Sequence, residues 1–181
     1  MVEKQIEKIQ ETFTHSTKKR INYGGCGVVA DGFRKLAEAN GQYTTIWLVE
    51  RFDVGIANFF DYEDPFTHIM IEIKDGYLTD ITGTFPKTDF NICDRHGKIL
   101  VPAITPNNMD NWYSNYYITE LTDEKFAYLL QNDKWNSMFV NSRLNRSGQL
   151  AKTFAKQIER EVTIKMLPRS ELYVIDFDSE S

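Results

Sequence analysis

Two β-rich runs flanking Asp75-Gly76 constrain the fold more than any other part of this chain. Phe66, Thr67, Ile69, Ile71 and Ile73 mark the first run, and Tyr77 to Thr82 forms the second. Asp-Gly between them is a hairpin signal. The register of that hairpin decides which side chains share a face, because a one-residue slip sends a whole strand's side chains to the other side. A two-residue loop would put Asp80 with Ile69, Ile71 and Ile73, and His68 on the opposite face. A three-residue loop, Lys74-Asp75-Gly76, places Gly76 in the left-handed position of a bulge. Ile73 then faces Tyr77, Met70 faces Asp80, and His68 faces Thr82. Ile69, Ile71, Ile73, Tyr77 and Ile81 share one face, with Thr79 as its small polar member. His68, Met70, Leu78, Asp80 and Thr82 share the other. This register builds the better core and sets Asp80 diagonal to His68, about 7–8 Å apart between backbones. The three-residue loop is therefore expected.

Around the hairpin the pattern mixes helix and strand. Val2, Ile6, Ile9 and Phe13 recur at helical spacing. A polar, basic linker, Thr14 to Asn22, is expected next, and then a tight glycine turn, Tyr23-Gly24-Gly25-Cys26-Gly27. Val28, Val29, Phe33, Leu36 and Ala37 predict a helix that stops at Asn40-Gly41, so that Cys26 opens it. Thr44 to Val49 reads as a strand. Residues 83–111 are rich in Gly, Pro, Asn and Asp and are expected to be largely loop. Thr122 caps a helix to about Gln131, and another helix is expected from Ser147 or Gly148 to about Arg160. Val162–Met166 and Leu172–Phe177 read as strands. The expectation is an α+β chain, one domain over 1–181, with a core at about 21–84 and a helical and strand extension over 85–181.

Composition limits the chemistry. The chain has 181 residues, 41% of them hydrophobic, which suffices for a core without disulfide or metal support. A net charge of −5 argues against general binding to a phosphate backbone. No stretch approaches 18 apolar residues, so no membrane association is expected. Two Cys fit a reducing compartment, and a cytoplasmic location is the expectation. Three His and two Cys leave few ways to assemble a nucleophilic or metal site.

One constellation stands out: Cys26, then His68 on a strand, then Asp80 on the next. A helix N-terminus stabilises a thiolate, and free backbone N–H groups there can hold an oxyanion. An imidazole beside the thiol takes its proton and returns it to the leaving group. A carboxylate on the far ring nitrogen fixes the tautomer and stabilises the imidazolium.

Tyr23 to Gly27 before a helix, Thr67-His68-Ile69-Met70-Ile71-Glu72-Ile73, and Gly76-Tyr77-Leu78-Thr79-Asp80-Ile81-Thr82-Gly83 resemble the transglutaminase-like core of the papain-like cysteine enzymes. Arylamine N-acetyltransferases share that core, and their Asp followed shortly by Gly is similar to Asp80 and Gly83. The resemblance covers roughly residues 21–84. It implies a papain-like fold, with the nucleophile helix packed on an antiparallel sheet. It further implies Cys26 as nucleophile, His68 as general base and acid, and Asp80 as orienting carboxylate. Two positions depart from the family pattern. Met70 stands where many members have an aromatic residue, and Arg20 where papain-like enzymes have an oxyanion-binding Gln. The backbone at Gly25 and Cys26 and the Asn22 side chain are the remaining oxyanion candidates.

The function so implied is a thiol-dependent amide hydrolase or transferase of protease, deamidase or transglutaminase type. It would work through an acyl-enzyme on a protein, peptide or small amide substrate, with no cofactor. Two other readings stand beside it: a non-catalytic binding or inhibitor protein that keeps the fold, and an acyltransferase using a thioester donor. Each residue also has a plainer role. Cys26 could be a small buried side chain, His68 a satisfied strand residue, and Asp80 a strand cap. Cys93 and His96 have ligand-like spacing, but no further Cys completes a tetrahedral site, and no metal is expected. Lys18-Lys19-Arg20 reads as a solvated basic run or as an attractor of acidic substrates. Trp112, Tyr113, Tyr116 and Tyr117 read as packing or as a wall of a substrate groove.

Overall fold

The structure is a computed structural model that describes residues 1–51, 68–96, 98–104, 116–132 and 146–166. Helix α1 spans Val2–Glu11 and buries Val2, Ile6 and Ile9. Helix α2 spans His15–Ala39. The strands are β1 (Thr45–Arg51), β2 (His68–Glu72), β3 (Tyr77–Asp80), β4 (Gly83–Pro86), β5 (Asn91–Cys93), β6 (Ile99–Val101) and β7 (Tyr116–Leu121). A 3-10 turn, Lys87–Asp89, lies between β4 and β5. Helices α3 (Asp123–Asn132) and α4 (Arg146–Met166) follow. The strands form one sheet in the order β4-β3-β2-β1-β7-β5-β6. All neighbours are antiparallel except β5 and β7, which run parallel. The α+β class holds, with a mixed rather than purely antiparallel sheet.

The hairpin has the expected register. Ile71 pairs with Thr79 and Glu72 with Leu78, which places Met70 opposite Asp80. Gly76 has φ of 85°, the left-handed conformation that the bulge requires. A polar clamp fixes the loop. Glu72 accepts the Gly76 N–H at 2.8 Å, Trp47 Nε1 at 3.0 Å and Lys87 Nζ at 2.9 Å. Burial pushes the Glu72 carboxyl up, but Lys87, the Gly76 N–H and Trp47 hold it below its ordinary value. Each sheet face has its own core. Ile69, Ile71 and Ile81 pack with Ile46, Leu48 and Tyr117 against the helices. Met70 and Leu78 pack on the other face with Trp47, Val49, Phe90 and Ile118.

Three expectations are corrected. The linker and glycine turn over 14–27 are helical instead. Thr14 caps α2, accepting from Thr17 N at 3.3 Å, and the helix continues through Gly24-Gly25-Cys26-Gly27 to Ala39. Tertiary packing outweighs the weak helix propensity of glycine here. Ile21 and Cys26 are buried, and the space at Gly25 is bounded by Ala151 of α4 and Ile21, each 3.6 Å from an added Cβ. What survives of the break is Gly24, with φ of 98°. Secondly, 83–101 is not largely loop but holds β4, β5 and β6. Pro86 fits because β4 is the outermost strand and needs no outward N–H. Thirdly, Val162–Met166 extends α4 rather than forming a strand. Ile158 and Val162 pack on the core, and Thr163 Oγ1 bonds the Glu159 carbonyl at 2.8 Å. The α2 stop at Asn40-Gly41 holds, with Gly41 at φ 73°. Trp112, Tyr113 and the expected strand Leu172–Phe177 lie outside the described residues.

Candidate functional site

His68 is the first residue of β2 and Asp80 the last of β3, so both sit at the open end of the hairpin. His68 Nε2 and Asp80 Oδ2 are 2.9 Å apart. The diagonal relation read from the register thus becomes a direct ion-pair hydrogen bond. The chain turns immediately after Asp80, because its other oxygen caps the turn. Asp80 Oδ1 accepts from Thr82 N at 2.7 Å, Thr82 Oγ1 at 2.5 Å and Gly83 N at 3.2 Å. This Asx-type turn consumes one carboxylate oxygen and leaves the other for the imidazole.

Helix α2 brings the thiol. The Cys26 side chain lies near enough to the His68 imidazole to act on its charge. With Nε2 engaged by Asp80, the ring nitrogen left for the thiol is Nδ1. One turn earlier on α2, Asn22 Nδ2 donates to Asp80 Oδ2 at 3.3 Å. Residues 22 and 26 flank the break at Gly24. That stretch of α2 carries both a donor to the carboxylate and a thiol near the imidazole. Helix α1 adds a further tie: Gln10 Nε2 donates to the Asp80 backbone carbonyl at 2.7 Å.

The electrostatics follow from this enclosure. Burial works against a charged His68, but the hydrogen bonds and charges of Asp80 and Cys26 more than offset it, and its pKa is raised to about 10. Burial likewise pushes the Asp80 carboxyl up. The His68 contact and the Thr82 donors overcome this and hold it below the usual carboxylate range. The imidazole is therefore charged at neutral pH, between a carboxylate and a thiol.

The three principal residues expected from the sequence are thus brought together, although Cys26 lies inside a long helix rather than at its first turn. Asn22 has a different partner from the one expected: its amide serves the Asp80 carboxylate. Its Oδ1 is buried and has no hydrogen-bond partner. Exchanging the amide's two ends would set that oxygen against the carboxylate, so the observed orientation is the favourable one. Gly25 is buried beside Ala151 of α4 and Ile21. Trp112 lies outside the described residues. Cys93 is 3% exposed in the core while His96 is exposed, so this pair does not converge. Among the described residues no group of three or more His, Cys, Asp or Glu is placed to hold a metal ion. Sequence reasoning missed Gln10 and Thr82 as partners of Asp80. The Asp80-Ile81-Thr82-Gly83 turn pattern carried the second; the first had no local signal, since Gln10 is 70 residues from Asp80. No family model, curated protein or solved structure matches this chain.

Proposed function

We propose that the protein is a thiol-dependent amide hydrolase or transferase that forms an acyl-enzyme on Cys26, on a papain-like, transglutaminase-like version of the α+β fold. The observation that carries this reading is the His68 imidazole held by the Asp80 carboxylate at 2.9 Å, with the Cys26 thiol near enough to act on the same ring. In the first step the Cys26 sulfur attacks the substrate carbonyl carbon, and an S–C bond forms. The C–N bond then breaks, and His68 gives its proton to the departing amine. In the second step water or an acceptor amine attacks the thioester, and His68 takes the attacker's proton as the sulfur leaves. Asp80 stabilises the imidazolium and holds the ring with one nitrogen toward the thiol.

One observation favours the alternative of a non-catalytic binding or inhibitor protein: Cys26 is only 2% exposed. Attack by Cys26 requires the covering groups to open. Reaction with a nitrophenyl ester, read by intact mass and peptide mapping, separates the two readings. The enzyme reading predicts one acyl group on Cys26 in the wild type and none in Cys26→Ala or His68→Ala, with unchanged circular dichroism. Absence of acylation, or acylation equal in the His68→Ala variant, sinks it.

A further inference from the structure

The buried stripe of α2 changes character where it reaches the site. Cys26, Val29, Phe33 and Ala37 recur every three or four residues along it and are all buried. Before the break at Gly24, φ 98°, the helix keeps touch with the site through Asn22, which reaches Asp80, and Lys18 stands one turn before Asn22 with Lys19 beside it. The part of the helix that meets the Asp80–His68 pair thus turns cationic one turn further out. Lys18 is half-buried and Lys19 exposed, and neither ammonium meets a carboxylate among the described residues. Helix stability does not account for them. The early turns of a helix favour acidic side chains, yet no Asp or Glu occurs anywhere from Thr12 to Ala30, in a chain of net charge −5. Arg20 follows them in sequence but lies roughly 160° around the helix from Asn22, so it projects away from the Asn22 side.

We propose that Lys18 and Lys19 form an anion-recognising wall of the Cys26 site, and that the substrate is an acidic peptide. Lys18 lies one turn before Asn22, about 6 Å along the helix from the residue that touches Asp80. An extended peptide covers that span in about two residues at about 3.3 Å each. The site therefore favours Asp or Glu within a few residues of the amide that is attacked. The inference rests on the catalytic reading of Cys26 for its substrate role, but its binding arm stands apart from turnover.

The test measures binding to the full chain carrying Cys26→Ala. Three dye-labelled peptides of otherwise identical sequence carry two Glu, two Gln or two Lys, and anisotropy is read at low salt. The Glu peptide binds about tenfold more tightly than the Lys peptide, a preference that shrinks as NaCl rises and screens the contact. Lys18→Glu with Lys19→Glu abolishes or reverses the preference, whereas Arg20→Glu, the same change per residue on the opposite side, retains it. Glu near a helix start suits the helix dipole, so the double variant is expected to stay folded, which circular dichroism checks. Equal binding of the three peptides, no binding of any, or an Arg20→Glu effect as large as the double variant's overturns the proposal. A Glu preference in Cys26→Ala, alongside a wild type that is never acylated, keeps the anion wall and removes the chemistry.

Discussion

Replacing Asp80 by Asn keeps the shape of the side chain and removes the charge that organises the site. The turn contacts should survive, because an amide oxygen can still accept from Thr82 and Gly83, as Asp80 Oδ1 does. The other end becomes an NH2 group aimed at His68 Nε2 and Asn22 Nδ2, where the carboxylate now accepts. A hydrogen bond between charged partners contributes about 1.5–3 kcal/mol and a neutral donor about 1 kcal/mol. The variant should therefore lose about 3 kcal/mol at neutral pH. Burial then acts on a His68 stripped of its anion, so its pKa falls from about 10 toward or below the ordinary 6.5. The sign of the pH dependence follows. A histidine with a raised folded pKa contributes stability in full below its unfolded value, and that contribution fades as pH rises toward about 10. Wild type and Asp80→Asn should thus differ most in melting temperature between about pH 4 and pH 6.5 and converge near pH 10. At the acid end, wild-type stability falls as pH drops below 3.8 and Asp80 itself protonates. NMR titration of the His68 ring reads the pKa directly, and thermal melts at several pH values read the linkage. A His68 that still titrates near 10 in Asp80→Asn, or a melting difference that is constant with pH, refutes the reasoning.

Two further outcomes follow from the geometry. Asn22→Ala removes one donor to Asp80 Oδ2. It should cost about 1 kcal/mol and slow Cys26 acylation several-fold, whereas Asn22→Asp sets a like charge against Asp80 and should slow it more, with stopped-flow acylation as the readout. Gly32→Leu tests the helix contact behind the site. A Cβ at Gly32 lies 2.8 Å from Phe154 Cε1 and 2.9 Å from Ile158 Cγ1, both fully buried residues, so overpacking should lower stability by about 3 kcal/mol in urea unfolding.

How much of this was legible depended on whether a local rule or a distant contact decided the outcome. The hairpin could be read because alternation and the Gly76 bulge are local. Grouping Ile69, Ile71 and Ile81 on one face forced Asp80 into reach of His68. The start of α2 could not be read in the same way. Gly24 and Gly25 look like a turn by propensity, and only burial of Ile21 and Cys26, with Ala151 packed beside Gly25, keeps that stretch helical. Missing that helix hid the placement of Asn22 beside Asp80. Val162–Met166 failed for a related reason: β-branched residues favour strands until a long helix packs them on a core. The strands over 83–101 are only three or four residues long, too short for alternation to stand out from their Gly and Pro content.

The central claim is that His68 activates Cys26, and alkylation by iodoacetamide across a pH range tests it most directly. Cys93 serves as the internal control, since it is buried and its thiol is pushed up by burial and by Asp94. Peptide mapping should find Cys26 modified at least tenfold faster than Cys93 near neutral pH, an advantage that His68→Ala abolishes. Modification of Cys26 no faster than Cys93, or equally fast with and without His68, would contradict the account.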